Sequence, residues 1–297
     1  MGEVRIGVIG GSGLYEMTGL EVREERRVAT PFGDPSDAYV IGELEGRTVA
    51  FLARHARGHR LLPTELNYRA NILGFKQLGV EFLISVSAVG SMKIDYRPGD
   101  IVVPDQFFDR TRHRPDTFFG RGLVAHTSFA RPVSQRLAGI LAAAARAAGA
   151  RLHEGGTYLC MEGPLFSTRA ESEVYRQWGM DVIGMTNLQE AKLAREAEIA
   201  YASLAMITDY DCWHEEEEAV SGEGVMEVVQ RNAALAQEVV RRAVAALDER
   251  VENDCADALK SSLITPAHLV PETTLADLAP LLEKYLDRSG PQLAWKR

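Results

Sequence analysis

Two carboxylates separated by one residue, Asp209 and Asp211, follow a run of apolar residues in this chain. The run, residues 199–208, is typical of a strand that is buried on both faces. Ligands of open α/β sheets bind just beyond the carboxyl ends of such strands. Carboxylates at that position can accept hydrogen bonds from the N–H groups of a flat heterocycle such as adenine. A surface turn is the alternative, because Asp also favours turns.

A glycine-rich turn follows the first predicted strand, residues 4–9. Residues 10–13, Gly-Gly-Ser-Gly, expose backbone N–H groups, and Ser12 adds a hydroxyl, so an anion can bind there. The dinucleotide-binding fingerprint is incomplete, because Glu16 replaces its third glycine, and no Gly-Lys-Ser/Thr of a P-loop follows. The alternative is a tight turn in which glycine supplies a positive φ.

The densest basic segment, residues 54–60, also follows a predicted strand. In a chain of net charge −9, Arg54 and His55 at this position predict an oxyanion site, since a guanidinium group can fork onto phosphate. The alternative is a solvated basic loop, and Arg57 and Arg60 are interpreted as solvated side chains of this kind.

Residues 162–167 form a predicted turn between a strand and a helix. Phe166 in this turn can stack on a base, although a lone Phe more often packs in a core. Thr168 and Glu171 match the Ser/Thr-x-x-Glu capping box, which predicts that the helix begins there.

A further strand, residues 181–186, leads into a predicted helix at 187–198 with Asn187 as its cap. Thr186 at this helix N-terminus is a second place where an anion can bind, or a simple capping residue. Met185 fits the core or the face of a sugar. The second basic loop, residues 110–114, has no role that the sequence assigns.

The elements that must position these side chains alternate between strands and helices. This alternation predicts an α/β fold, with one domain built on a central mixed, largely parallel twisted sheet flanked by helices. Residues 1–248 form that domain, and residues 249–297 form a C-terminal extension with a helix around 275–286. Other predicted elements are a hairpin of strands 40–44 and 47–52, strands 81–87, 101–103 and 155–161, and helices 63–78 and 133–148.

Composition limits the class of protein. The net charge of −9 argues against general nucleic-acid binding and against anionic membrane surfaces. The 3 cysteines are scattered without disulfide or metal-ligand spacing, so a reducing cytoplasm is expected and no metal site is predicted. We expect neither a signal peptide nor a membrane span, because no apolar run is long enough.

Five motifs occur in an order that carries a family resemblance. Over about residues 4–247 the chain closely resembles the trimeric purine nucleoside phosphorylases, and within them the branch that acts on 5′-methylthioadenosine. The Asp-Tyr-Asp-Cys-Trp motif is the most specific, because relatives that act on 6-oxopurines carry Asn among the base-reading residues. The motifs are Gly-Gly-Ser-Gly at 10–13, Arg-His at 54–55, Glu-Gly-Pro-Leu-Phe-Ser at 162–167, Gly-Met-Thr at 184–186 and Asp-Tyr-Asp-Cys-Trp at 209–213.

The resemblance implies a role for each matching residue. Asp209 would face N7 of adenine, Asp211 its exocyclic amine, and Phe166 would stack near the base. The groups that would hold phosphate are Ser12, Arg54, His55, the backbone of Ala88, and Thr186. Those that would contact the methylthioribose are the main chain of Met185, the pocket residues Val220 and Val225, and His126 from a neighbouring subunit.

The implied reaction is phosphorolysis of 5′-methylthioadenosine, in purine and methionine salvage, by a homotrimer or a multiple of one. Phosphate is a co-substrate, and no cofactor is expected. Gly184 and Ser87 stand where better-known relatives have Asn and Thr, so a broader or 6-oxopurine specificity is the first alternative. A nucleosidase would leave the anion-binding groups without a role. A non-catalytic nucleotide-binding protein lacks support, because the dinucleotide fingerprint is incomplete.

Overall fold

The computed structural model describes residues 4–11, 14, 17–214, 222–290 and 292–296. Two residues with predicted roles, Ser12 and Val220, lie outside these ranges.

A mixed sheet forms the centre of the described structure and agrees with the predicted fold class. Parallel pairs predominate, and the strand order is β2-β3-β4-β1-β5-β10-β9-β7, with β11 pairing with β5 and β6, and β8 with β6. The strands of this sheet are β1 (Ile6–Gly10), β2 (Glu21–Arg26), β3 (Tyr39–Leu44), β4 (Arg47–Ala53), β5 (Phe82–Ser91), β6 (Ile101–Val103), β7 (Gln106–Arg110), β8 (Leu152–Glu154), β9 (Thr157–Met161), β10 (Val182–Gly184) and β11 (Ala200–Asp209).

Helices cover both faces of the sheet, and two short strands near the C-terminus pair with each other. The described helices are α1 (Tyr68–Gln77), α2 (Gln135–Ala147), α3 (Arg169–Gln177), α4 (Asn187–Glu196), α5 (Gly222–Ala246), α6 (Glu272–Asp277) and α7 (Ala279–Leu282). The paired short strands are β12 (Leu286–Asp287) and β13 (Ala294–Trp295).

The buried strands were predicted well because their sequences are largely apolar. β5 and β11 pair in parallel over most of their length, and nearly every residue in them is buried. The predicted hairpin of β3 and β4 is confirmed: Glu45 and Gly46 both have positive φ, as a two-residue hairpin requires. The Thr168–Glu171 capping box is present in full at the start of α3.

The start of the first helix and the cap residue of α4 were predicted wrongly, whereas the predicted start of α4 at Asn187 is confirmed. The first helix begins at Tyr68 and not at residue 63, because Asn67 caps it by accepting a hydrogen bond from the Ala70 N–H. The cap position of α4 is Thr186 and not Asn187. Asn187 is fully buried instead, and its amide donates to the Ser203 hydroxyl on β11.

The C-terminal extension packs into the main domain. Leu259, Leu278 and Leu282 belong to the same buried cluster as α1 and α4. Buried Glu198 fastens this segment, since its carboxylate accepts hydrogen bonds from the Leu259 N–H, at 2.9 Å, and the Tyr285 hydroxyl. The extension therefore closes one face of the core. No helix among the described residues is long and apolar enough to cross a membrane.

Candidate active site

A cavity of about 620 Å³ opens at the carboxyl ends of the central strands. Its walls come from segments at the ends of β1, β4, β5, β10 and β11, with α5 along one side. This is the position that open α/β sheets offer to ligands. The cavity is large enough to hold a nucleoside-sized molecule.

The two carboxylates line this cavity where β11 ends, and the pairing of β11 with β5 is irregular between Ile207 and Asp209. Asp209 accepts hydrogen bonds from the Thr208 hydroxyl and from the Asp211 N–H, both at 2.7 Å. A Cβ atom at Gly90 would lie 2.9 Å from the Asp209 carboxylate, so glycine is needed to leave room for it. Asp211 adopts a φ of 54°, which turns the chain sharply after Asp209.

Trp213 holds the acidic turn against the end of β5. Its indole N–H donates to the Ser91 carbonyl at 2.7 Å. The Arg176 guanidinium lies 3.7 Å from the ring centroid and donates to the Met92 carbonyl. A cation over an indole ring adds a favourable electrostatic contact. Trp213 and Arg176 together stabilise the backbone that presents Asp209.

Arg54 also lines the cavity and is almost completely buried. Its guanidinium group donates to the Glu190 carboxylate at 2.5 Å, to the Ser85 hydroxyl at 2.7 Å and to the Val86 carbonyl at 2.9 Å. Burial alone would lower the pKa of Arg54, but the attraction of Glu190 outweighs it and raises that pKa. Arg54 is therefore a rigid, permanently charged group in the cavity wall.

His55 is a neutral ring beside this cation. Burial, and then the charge of Arg54, lower the pKa of His55 to about 4. Its Nδ1 lies 2.8 Å from the Leu61 carbonyl oxygen, which can only accept, so Nδ1 carries the proton. The Nε2 of the neutral ring is then a hydrogen-bond acceptor. His59 stacks on His55 with ring centroids 4.3 Å apart.

Met185 and Thr186 form part of the cavity wall. A Cβ atom at Gly163 would lie 2.6 Å from the Met185 sulfur, so the turn at Gly163 presses directly on this side chain. Beneath this wall, a Cβ atom at Gly184 would lie 2.0 Å from the hydroxyl oxygen of buried Tyr158. Glycine at 184 is thus a steric requirement of Tyr158.

The structure brings most of the predicted site residues into one cavity. His126 is the exception among the described ones: it is exposed and outside the cavity of this chain, with its backbone N–H bonded to the Ser262 carbonyl at 2.9 Å. The predicted residues that line the cavity are Arg54, His55, Ala88, Phe166, Met185, Thr186, Asp209, Asp211 and Val225.

Sequence reasoning missed several residues of the site. Arg60, interpreted as a solvated side chain, lines the cavity together with His59. Glu190 carried no visible signal, because a Glu inside an amphipathic helix usually faces water. The methionines Met161 and Met226 also line the cavity, and no motif marked them. Within the described residues, no group of three or more His, Cys, Asp or Glu side chains is arranged to hold a metal ion.

Comparison with known proteins gives consistent matches. The family model of the phosphorylase superfamily matches residues 5–245. An S-methyl-5′-thioadenosine phosphorylase of Koribacter versatilis is 58% identical over 283 residues, which cover 95% of this chain and 97% of the relative. The one from Gloeobacter violaceus is 57% identical, with 95% and 96% covered.

Solved structures show the same likeness. A methylthioadenosine phosphorylase from an Antarctic soil metagenomic library superposes with a TM-score of 0.90 at 49% identity, covering 95% of this chain and all (100%) of the other. The methylthioadenosine phosphorylase from Schistosoma mansoni in complex with adenine gives a TM-score of 0.82 at 36% identity, with 87% and 96% covered.

Proposed function

Because the chain belongs to the phosphorylase superfamily, we propose that it cleaves S-methyl-5′-thioadenosine with inorganic phosphate. The products are adenine and S-methyl-5-thioribose 1-phosphate, which makes the chain a pentosyltransferase of purine and methionine salvage. One observation carries the proposal: a single cavity joins the buried cation Arg54 to the acidic pair Asp209 and Asp211. The names of the similar relatives favour the adenine substrate over the 6-oxopurine alternative.

Phosphate binds beside Arg54 and His55 in this proposal. The fixed guanidinium supplies the positive charge, and Thr186 and the backbone at Ala88 supply further contacts from the same wall. Neutral His55 accepts a hydrogen bond from a protonated phosphate oxygen through Nε2. Ser12, from the glycine-rich turn, completes the phosphate site.

Adenine binds at the acidic end, with Phe166 near the ring. Phosphate oxygen attacks C1′ of the ribose while the bond from C1′ to N9 breaks and its electron pair moves into the purine. Protonated Asp209 gives its proton to N7, so adenine leaves as a neutral molecule. Asp211 accepts a hydrogen bond from the exocyclic amine. The negative charge of phosphate stabilises the cationic ribosyl group in the transition state, and the reaction needs no cofactor.

The methylthio group occupies the apolar part of the cavity. Val225, Met226 and Ala233 of α5 line the cavity. The family resemblance also implies Val220, which lies outside the described residues. A thioether packs well against methionine and valine side chains. His126 of a neighbouring subunit completes the pocket in this proposal, since it lies outside the cavity of its own chain.

A homotrimer, or a multiple of one, follows from that sharing of the site. Leu165 is 82% exposed and Trp178 53% in the single chain, and Phe108 lies beside Trp178 with ring centroids 5.6 Å apart. Exposed apolar side chains of this size are typical of interfaces. A fully active monomer in sedimentation experiments at assay concentration would contradict the assembly.

Three free cysteines fit a cytoplasmic location.

The decisive experiment measures adenine release with and without phosphate and identifies the sugar product by phosphorus NMR. Methylthioadenosine, adenosine, methylthioinosine and inosine are compared under the same conditions. Release should require phosphate, and Arg54→Ala should weaken phosphate use far more than nucleoside binding. Arg57→Ala is the matched control, because its guanidinium pairs with Glu25 at the surface, at 2.9 Å. Equal rates in phosphate-free buffer would identify a hydrolase instead.

A further inference from the structure

Arg114 belongs to the second basic loop, residues 110–114, to which no role was assigned from the sequence, yet its side chain is only 1% exposed. Buried arginines are rare unless their donors are satisfied. Nε donates to the Glu162 carboxylate at 3.1 Å. The charge of Arg114 is therefore partly balanced by Glu162, and the other N–H groups must find other acceptors.

Those acceptors belong to the segments that form the cavity. Nη1 donates to the Met185 carbonyl, and also to the Gln189 side-chain oxygen and the Tyr68 hydroxyl, both at 3.1 Å. Nη2 donates to the Glu162 carbonyl. One guanidinium group thus ties the wall at Met185 to the turn that leads to Phe166.

The connection extends to a third segment. The Tyr68 hydroxyl, which accepts from Arg114, donates in turn to the Pro63 carbonyl at 2.8 Å, and Pro63 lines the cavity. The Gln189 oxygen is held towards Arg114 because its amide nitrogen donates to the Thr111 hydroxyl at 2.8 Å. Rigid groups around a site of this kind fix the geometry of the residues that touch the ligand.

We propose that Arg114 is a positioning residue for the ribose subsite: it fixes the orientation of the Met185 peptide group so that the main chain meets the ribose hydroxyls. This inference rests on the proposed function, in which Met185 lies against the ribose. Arg114 does not touch the substrate. It acts because a charge-assisted hydrogen bond holds the Met185 carbonyl in one direction.

Lysine cannot replace this arginine, since a single ammonium group cannot reach all the acceptors that are spread around the edge of the planar guanidinium group. Arg114→Lys should lower kcat/KM for methylthioadenosine by about tenfold or more, while the KM for phosphate changes by less than about twofold. Arg112→Ala is the matched control, because Arg112 is an exposed arginine of the same loop. It should retain wild-type kinetics.

The discriminating substrate is the 2′-deoxy analogue of methylthioadenosine. If Arg114 acts through the ribose hydroxyls, the loss caused by Arg114→Lys should shrink to less than about threefold with this analogue. Equal losses with both substrates, or wild-type kinetics of Arg114→Lys, would overturn the inference. Thermal unfolding of each variant confirms that folded proteins are compared. Turnover of methylthioadenosine by the wild-type enzyme in the same assay tests the proposed function separately. Failure of the proposed function can therefore be distinguished from failure of the role proposed for Arg114.

Discussion

Replacing Glu190 by Gln should destabilise the protein strongly, although the two side chains have nearly the same shape. Glu190 is fully buried, and its Oε2 accepts from the Ser85 hydroxyl at 2.8 Å, the Tyr201 hydroxyl at 3.0 Å and Arg54 at 3.2 Å. Its Oε1 accepts from Nε of Arg54 at 2.5 Å. An amide nitrogen placed here would face a donor, and Arg54 would lose its only described counter-charge at hydrogen-bond distance.

The magnitude follows from the burial of both partners. Removing one partner of a buried ion pair costs about 3–5 kcal/mol. The amide keeps one acceptor oxygen, so we expect the free energy of unfolding to fall by about 3 kcal/mol and the melting temperature by about 6 °C or more. Glu238→Gln is the control: its surface pairs with Arg241 and Arg242 on α5 contribute less than about 1 kcal/mol.

A double variant separates stability from function. Arg54→Met combined with Glu190→Met replaces the ion pair by apolar groups, and such replacements are often neutral or stabilising. Its unfolding free energy in urea should exceed that of Glu190→Gln but stay below that of the wild type, because the Ser85 and Tyr201 hydroxyls lose their acceptor, and phosphate-dependent turnover should be lost. A stabilising role of the buried ion pair is refuted if the unfolding free energy of Glu190→Gln lies within about 1 kcal/mol of the wild type, or if the double variant is no more stable than Glu190→Gln.

Three further predictions concern the cavity wall. Gly184→Ala should abolish turnover and lower the melting temperature, because its Cβ would lie 2.0 Å from the Tyr158 hydroxyl oxygen and 2.6 Å from the ring carbon that bears it. Tyr158→Leu in the same chain removes both atoms and should restore part of the turnover; no restoration would exclude this steric cause. Asp209→Ala should lower kcat on methylthioadenosine severely. Asp211→Asn should instead narrow the preference for methylthioadenosine over methylthioinosine, and a wild-type enzyme without that preference would contradict the role of Asp211 in selecting the base. The pKa of His55 falls from 6.5 in the unfolded chain to about 4 in the folded protein, so the unfolded state binds the proton more readily. The free energy of unfolding should therefore fall by roughly 3 kcal/mol as the pH is lowered from about 6.5 to about 4. His55→Gln should flatten that part of the profile of stability against pH, and an unchanged profile would exclude His55 as its source.

The parts of the fold that depend on local pattern were predictable. β11 and the two carboxylates after it follow from an apolar run and the strand-end rule, and the Thr168–Glu171 box placed the start of α3 correctly. β2 was missed because it is exposed and polar and resembles a loop in sequence, and β7 was missed because it is short and largely exposed. Such edge strands are defined by the neighbour with which they pair.

The supporting residues of the site were not predictable for a related reason. Glu190 and Arg114 make contacts with residues that are distant in sequence, and charged residues in helices and loops usually face water. Their burial becomes visible only when the strands are assembled. The residues that contact ligands carry motif signals, whereas the residues that hold them in place do not.

The position of the C-terminal segment affects how the chain folds while it is synthesised on the ribosome. Leu259, Leu278 and Leu282 complete a cluster that also contains residues of α1 and α4, and Tyr285 binds Glu198. A nascent chain that has not yet released residues up to 286 exposes that apolar face to solvent and to other nascent chains. Synthesis and folding are thus staggered: the sheet can form early, but one of its faces stays open to chaperones until the last helices have emerged.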